Sequence, residues 1–103
     1  IKDSKSFTNI IKNGKFIKNS LYIIYIMKRD DNLIKYGIAI GNKVGKAHIR
    51  NKLKRQTRSI IDNNRNLFQK GNNYIIMIRK NCNEATFQDK QKALVDLLEK
   101  NEV

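Results

Sequence analysis

A chain of 103 residues fits one domain with a modest core and is too short for two. Its 22 Lys and Arg against 9 Asp and Glu leave a formal charge of +13, a self-repulsion that destabilises a compact fold unless an anionic partner relieves it: nucleic acid, an anionic membrane or an acidic protein. The single Cys82 cannot pair within the chain and suits a reducing compartment, so a cytoplasmic location is expected; no apolar run approaches the roughly 18 residues of a membrane span.

In chain order, Asp3 or Ser4 can cap a first helix over about residues 4 to 13, with Phe7, Ile10 and Ile11 at helical spacing and Asn13-Gly14 as its stop. "KFIKNS" is a weakly patterned strand. "LYIIYIM", Leu21 to Met27, is a well-marked one, rich in branched and aromatic residues. After the turn "KRDDN", Leu33 to Gly41 forms a further strand. Tyr36, Ile38 and Ile40 share one of its faces, while Gly37, Ala39 and Gly41 leave the other nearly bare, open to close approach by a backbone or ligand.

From about Lys46 to Phe68 the pattern is helical, with Ile49, Leu53, Ile60 and Leu67 along one side and Gly71 in "KGNN" as the end signal. Tyr74 to Lys80 is apolar on both faces in its first five residues, the mark of a strand inside the sheet. Thr86 with Asp89 resembles a capping box, and Phe87, Leu94, Val95, Leu97 and Leu98 then make a closing amphipathic helix. The expected order is αβββαβα in one compact α+β domain.

Charge is concentrated on the middle helix. Between Asn32 and Asn83 twelve basic residues face one acid, Asp62, and none of the chain's acids falls between Asn32 and Ile61. At about 100° per residue, with Arg50 at zero, Ile49, Leu53 and Ile60 fall near 260° to 300° and Lys54, Arg58, Asn51, Arg55 and Lys52 between roughly 40° and 200°. A solvated helix face is the ordinary explanation of such charges, but here no Glu–Lys pair at i,i+4 can form, and Arg50, Lys54 and Arg58 repel one another along one stripe. Phosphates suit these cations, through the planar fork of Arg and the point charge of Lys. Asn51 adds a neutral donor and acceptor. "GNKVGK", ahead of the helix, brings free backbone N–H groups and the positive end of the helix dipole, without the Gly-Lys-Ser/Thr ending of a nucleotide-binding loop. Protein-based hydrolysis would need a base, a nucleophile or a metal cluster, and one His48, one Cys82 and scattered carboxylates supply none.

"KVGKAHIRNKLKRQTR", Lys43 to Arg58, resembles the signature of the protein subunit of bacterial ribonuclease P, with Lys43, Gly45, Ala47, Arg50, Asn51, Lys54 and Arg55 in the matching places. The likeness continues through "SFTNIIKNG", Tyr25, "YGIAIG", "GNNYIIMIRK" and the last helix. It implies an αβββαβα sandwich on a four-stranded sheet with a left-handed βαβ crossover through the basic helix, the fold also found in the second domain of a small-subunit ribosomal protein. It implies binding to the catalytic ribonuclease P RNA through Lys46, Arg50, Asn51, Lys52, Lys54, Arg55 and Arg58, and to the single-stranded 5′ leader of precursor tRNA through Phe7, Tyr25 and Lys43 in a cleft between first helix and sheet. The RNA subunit would cut the bond with magnesium held mainly by itself and the substrate, and the isolated protein would be inert. No membrane and no small-molecule substrate are expected. Ile11 stands where relatives commonly carry a second aromatic, which weakens stacking there, and the few basic residues before Phe7 fit a trimmed or short start. A non-enzymic RNA-binding or ribosomal protein of similar fold is the alternative, and a membrane-surface module using the basic helix is a third possibility, disfavoured by the absence of Trp.

Overall fold

The computed structural model describes residue 12 and residues 14–100. Four strands, β1 (Lys15–Lys18), β2 (Tyr22–Lys28), β3 (Ile34–Ile40) and β4 (Asn72–Ile78), and two helices, α1 (Ala47–Asn63) and α2 (Phe87–Lys100), follow the expected sequence of elements. Of the first helix expected over about residues 4 to 13, only residue 12 is described, so Phe7, Ile10 and Ile11 lie outside the described residues.

The sheet runs β1-β2-β4-β3. β2 pairs antiparallel with β1 and β4, and β3 pairs parallel with β4. Two adjacent parallel strands cannot be joined by a tight turn, so the chain crosses over between them, and the crossover contains α1. β4 sits inside the sheet, as its double-sided apolar run requires: Tyr74, Ile75 and Ile76 are fully buried.

Turn chemistry fixes the register. Between β1 and β2 the Asn19 carboxamide oxygen accepts from the N–H groups of Leu21 and Tyr22, both at 2.9 Å, so "KFIKNS" ends as a strand at Lys18. Between β2 and β3 Arg29 grips the Asp31 carboxylate at 2.8 Å through both Nε and Nη2. That hydrogen-bonded guanidinium holds the Asp31 carboxyl down at about 2. Gly71 receives this turn: its C=O accepts from Arg29 N–H at 2.8 Å and its N–H donates to Leu33 at 3.0 Å. Its φ is +82°, which strains any side chain, and an added Cβ would sit a tight 3.3 Å from the Asp31 carbonyl oxygen, so glycine is favoured on both counts.

Alternation along the strands gives the sheet two faces. Tyr22 and Ile24 of β2, Tyr74, Ile76 and Ile78 of β4 and the partly buried Tyr36, Ile38 and Ile40 of β3 belong to one core cluster with Leu53, Ile60, Ile61, Leu94, Leu97 and Leu98 of the helices. Phe68 packs among these aromatics, 4.7 Å from the Tyr74 ring and edge-on to Tyr36 at 6.2 Å. The expected helix to Phe68 stops at Asn63. The Asn64 side chain donates to Ile60 O at 2.8 Å, and a short 3-10 turn, Arg65–Leu67, carries the chain on. In α2, Thr86 Oγ1 accepts from Asp89 N–H at 3.1 Å, the expected cap, whereas Phe87 is 38% exposed rather than part of the core.

Lys90 occupies the apolar face of α2, only 5% exposed, with its Nζ donating to Gln56 Oε1 at 2.6 Å. Burial pushes its pKa down, the nearby Lys52 adds to that, and the Cys82 thiol, itself pushed up by burial, acts in the opposite direction. The unfolded chain keeps this proton to its ordinary 10.5 while the folded chain gives it up earlier, so the cost is fully present at neutral pH and is relieved as pH rises between the two values. Replacement Lys90→Met is therefore expected to raise the melting temperature at pH 7, and the gain over the parent should shrink as pH approaches 10.5. Melting both proteins across that range checks this; a gain independent of pH would refute the assignment to the buried charge.

Candidate nucleic-acid interface

α1 is held by its apolar stripe and displays the rest. Leu53, Thr57, Ile60 and Ile61 are buried, and Thr57 Oγ1 lies 3.3 Å from Tyr22 Oη, which fastens the helix to β2. Lys46, His48, Asn51, Lys52, Arg55 and Arg58 are exposed, and Lys54 and Arg50 are half-buried at the margin. Among the described residues only Arg29 with Asp31 and Arg65 with Asp62 form ion pairs, so no cation from Lys46 to Arg58 is neutralised within this part of the molecule. The ridge inferred from helical spacing is thus assembled on one element.

Arg50 differs from its neighbours. Its Nη1 donates to Asn42 Oδ1 at 2.6 Å, and its Nε is buried without a partner among the described residues. The guanidinium therefore braces the loop ahead of the helix. Val44 anchors that loop from inside, buried and with its carbonyl accepting from the Asn83 side chain. A Cβ at Gly45 would come within 3.2 Å of Ile49 Cγ2, so the chain turns into α1 where only glycine fits easily. No side chain caps the start of α1 and its first turn holds no acid, which leaves the positive dipole end uncompensated beside Lys43 and Lys46. Asn42 and Asn83 were not singled out in the sequence, because neither the loop-to-helix contact of Asn42 with Arg50 nor the contact of Asn83 with the distant Val44 loop leaves a periodic trace.

The second face of the sheet carries the other candidate residues. Tyr25 pairs in register with Phe16 of β1 and Ile75 of β4, and Ile75 with Gly37 of β3. Residues in register share a face, so Tyr25 stands in a row with Phe16, Ile75 and Gly37, on the side opposite the helix-packed core. The strip expected to be bare is not open along β3: Gly37 is buried and Ala39 half-buried, and only past the strand end, at Gly41, would an added Cβ meet nothing within 4 Å. Lys43 is exposed just past the end of β3. Phe7 lies outside the described residues. Phe16 is the residue that sequence reasoning missed: "KFIK" shows no alternation to assign it a face, and only its register with Tyr25 does so.

The family model described as Ribonuclease P matches residues 1–102. The ribonuclease P protein component of Mycoplasma mycoides is 38% identical over 99 residues, covering 95% of this chain and 91% of the relative. That of Clostridium botulinum is 33% identical over 104 residues, covering 97% and 91%. Among solved structures, the ribonuclease P protein of Thermotoga maritima superposes with a TM-score of 0.89 at 28% identity, covering 100% of this chain and 97% of that one. The Staphylococcus aureus protein gives 0.90 at 25%, covering 100% and 94%. With its four-stranded mixed sheet, basic crossover helix and near full-length matches, the chain belongs to the ribonuclease P protein component family.

Proposed function

We propose that this protein binds the catalytic RNA of ribonuclease P through the α1 ridge and grips the 5′ leader of precursor tRNA on the second face of the sheet, assisting removal of the leader to give the mature 5′ end. The observation that carries the reading is the row of exposed, unneutralised cations on one helix of a chain belonging to this family. Lys46, Asn51, Lys52, Lys54, Arg55 and Arg58 contact RNA phosphates and sugars, Arg50 shapes the loop that presents Lys43 and Lys46, and Tyr25 stacks an unpaired base. The position of Tyr25 supports this division, since its ring is only half-buried on the second face of the sheet and base stacking needs an accessible aromatic face.

The protein's part in the reaction is positional. Its cations offset the repulsion between RNA subunit and substrate, and the aromatic face holds the leader so that the bond to be cut lies against the RNA. Among the described residues no three His, Cys, Asp or Glu side chains converge, and in this proposal the magnesium that supplies the hydrolytic chemistry is held by the RNA subunit and substrate. Likewise, no helix among the described residues is long and apolar enough to cross a membrane.

Cleavage of precursor tRNA by the RNA subunit at low magnesium, with and without the protein, tests the assignment. Added protein should accelerate leader removal severalfold or more; no stimulation at any protein concentration would overturn it. For the cleft, Tyr25→Ala is expected to weaken holoenzyme binding to leader-containing substrate by about tenfold, the order of one stacked base, while mature tRNA binds as before. Equal losses for both RNAs would remove Tyr25 from the leader site.

A further inference from the structure

The aromatic surface does not end at Tyr25. Phe16 lies directly across from it on β1, with ring centroids 5.9 Å apart and planes tilted by 44°. Phe16 is 57% exposed. A ring that packed only to stabilise the sheet would gain most by lying flat and covered, since burial of apolar area is what stabilises; here the outer face of Phe16 stays open on the edge strand.

Round the edge strand from Phe16, on the helix-packed side where Lys15 is in register with Ile26 and Lys28 with Asn72, a groove of about 840 Å³ opens between the hairpin, the turn after β2 and the loop before β4. Lys15, Lys28, Lys70 and Lys100 line it. Of its two carboxylates, Asp31 is already held by Arg29 at 2.8 Å, which leaves Asp30 against four lysines. An open ring on the edge strand, with mobile cations round that edge, matches the two halves of a single RNA strand that passes it, flat bases and phosphates. A duplex would not fit this description, because its bases are stacked on each other and unavailable.

We propose that Phe16 is a second base-stacking residue for the leader, adjoining Tyr25, and that the RNA strand continues round the edge of β1, where the lysine-lined groove receives the phosphates of the nucleotides beyond the stacked base. The inference rests on the leader reading of Tyr25. It gives this chain two neighbouring rings on the sheet itself, one of them on the edge strand, and so makes leader affinity depend on more than one nucleotide.

The test uses holoenzyme reconstituted from the RNA subunit and full-length protein, with precursor tRNAs whose leaders are shortened stepwise from the 5′ end. Phe16→Ala should weaken binding of the long-leader substrate by about tenfold, the deficit should vanish once the leader is too short to reach the ring, and mature tRNA should bind unchanged. Phe16→Tyr should restore affinity. Lys28→Ala with Lys70→Ala should lower the salt dependence of long-leader binding alone, by about one to two in the log–log slope. A Phe16→Ala deficit that persists for mature tRNA, or that shows in affinity for the RNA subunit alone, overturns the proposal. If Phe16→Ala has no effect while Tyr25→Ala does, the second stacking residue is refuted and the cleft reading stands; if neither has an effect, the cleft reading itself fails.

Discussion

Replacing Lys52, Arg55 and Arg58 together by Ala is expected to lower affinity for the RNA subunit by about a hundredfold near physiological salt and to reduce the log–log salt slope by about 2 to 3. These three side chains are exposed and, among the described residues, form no ion pair. Their loss therefore removes counterion release without removing an internal contact. Spaced three apart on one helix face, they repel one another in the free protein, so the same substitutions should leave the melting temperature unchanged or slightly raised. Filter binding over a salt series and a thermal melt of the free protein check the two halves. A fall in affinity accompanied by a fall in melting temperature would mean that the ridge holds the fold together, and a salt slope equal to the parent's would mean that these side chains do not meet phosphate. Arg50→Ala should behave differently: because its guanidinium holds Asn42 at 2.6 Å, its loss also loosens the loop that ends in Lys46, and the affinity deficit should exceed what its change in salt slope accounts for.

The ridge was legible because helix α1 obeys a single rule. A 3.6-residue period separates Leu53 and Ile60 from Arg55 and Arg58 whatever the rest of the chain does, and no acid interrupts the charge. β2 and β4 were legible for the same kind of reason, their apolar runs leaving only the interior of a sheet to occupy. The helix end was misplaced from Asn63 to Phe68 because the 3-10 turn keeps Leu67 partly buried and Phe68 buried, so the apolar spacing outlives the helix that produced it. Lys90 could have been found: it stands four residues before Leu94 and seven before Leu97 on the apolar stripe, but a lysine is assigned to solvent unless the spacing is trusted over the residue type. Phe16 could not, since its role depends on which residue of β2 it faces, and that register is set by the Asn19 turn rather than by anything within "KFIK". The candidate site divides in the same way, with the helical half readable from period and charge and the sheet half dependent on pairing between strands.

Tyr74→Ala should produce the largest loss of stability and, with RNA present, a much smaller loss of function. The ring is fully buried between sheet and helices, 4.7 Å from Phe68, and its hydroxyl accepts from Gln69 N–H at 2.8 Å, tying the loop after α1 to β4. Deleting a buried aromatic costs about 3 to 5 kcal/mol, against a total of roughly 5 to 15 kcal/mol for a domain, and the charge of +13 gives this chain little surplus. With a urea m-value of about 2 kcal/mol per molar, the unfolding midpoint should fall by roughly 2 M. RNA that binds only the folded form recovers stability by mass action, about 4 kcal/mol at a thousandfold excess over Kd, so saturating RNA subunit should return the midpoint close to that of the free parent and restore holoenzyme activity. Urea titrations of parent and variant, each with and without the RNA, measure both effects. A midpoint shift below roughly 0.5 M would place Tyr74 outside the core, and a destabilised variant that RNA fails to rescue would show that the ridge and the sheet do not fold as one cooperative unit.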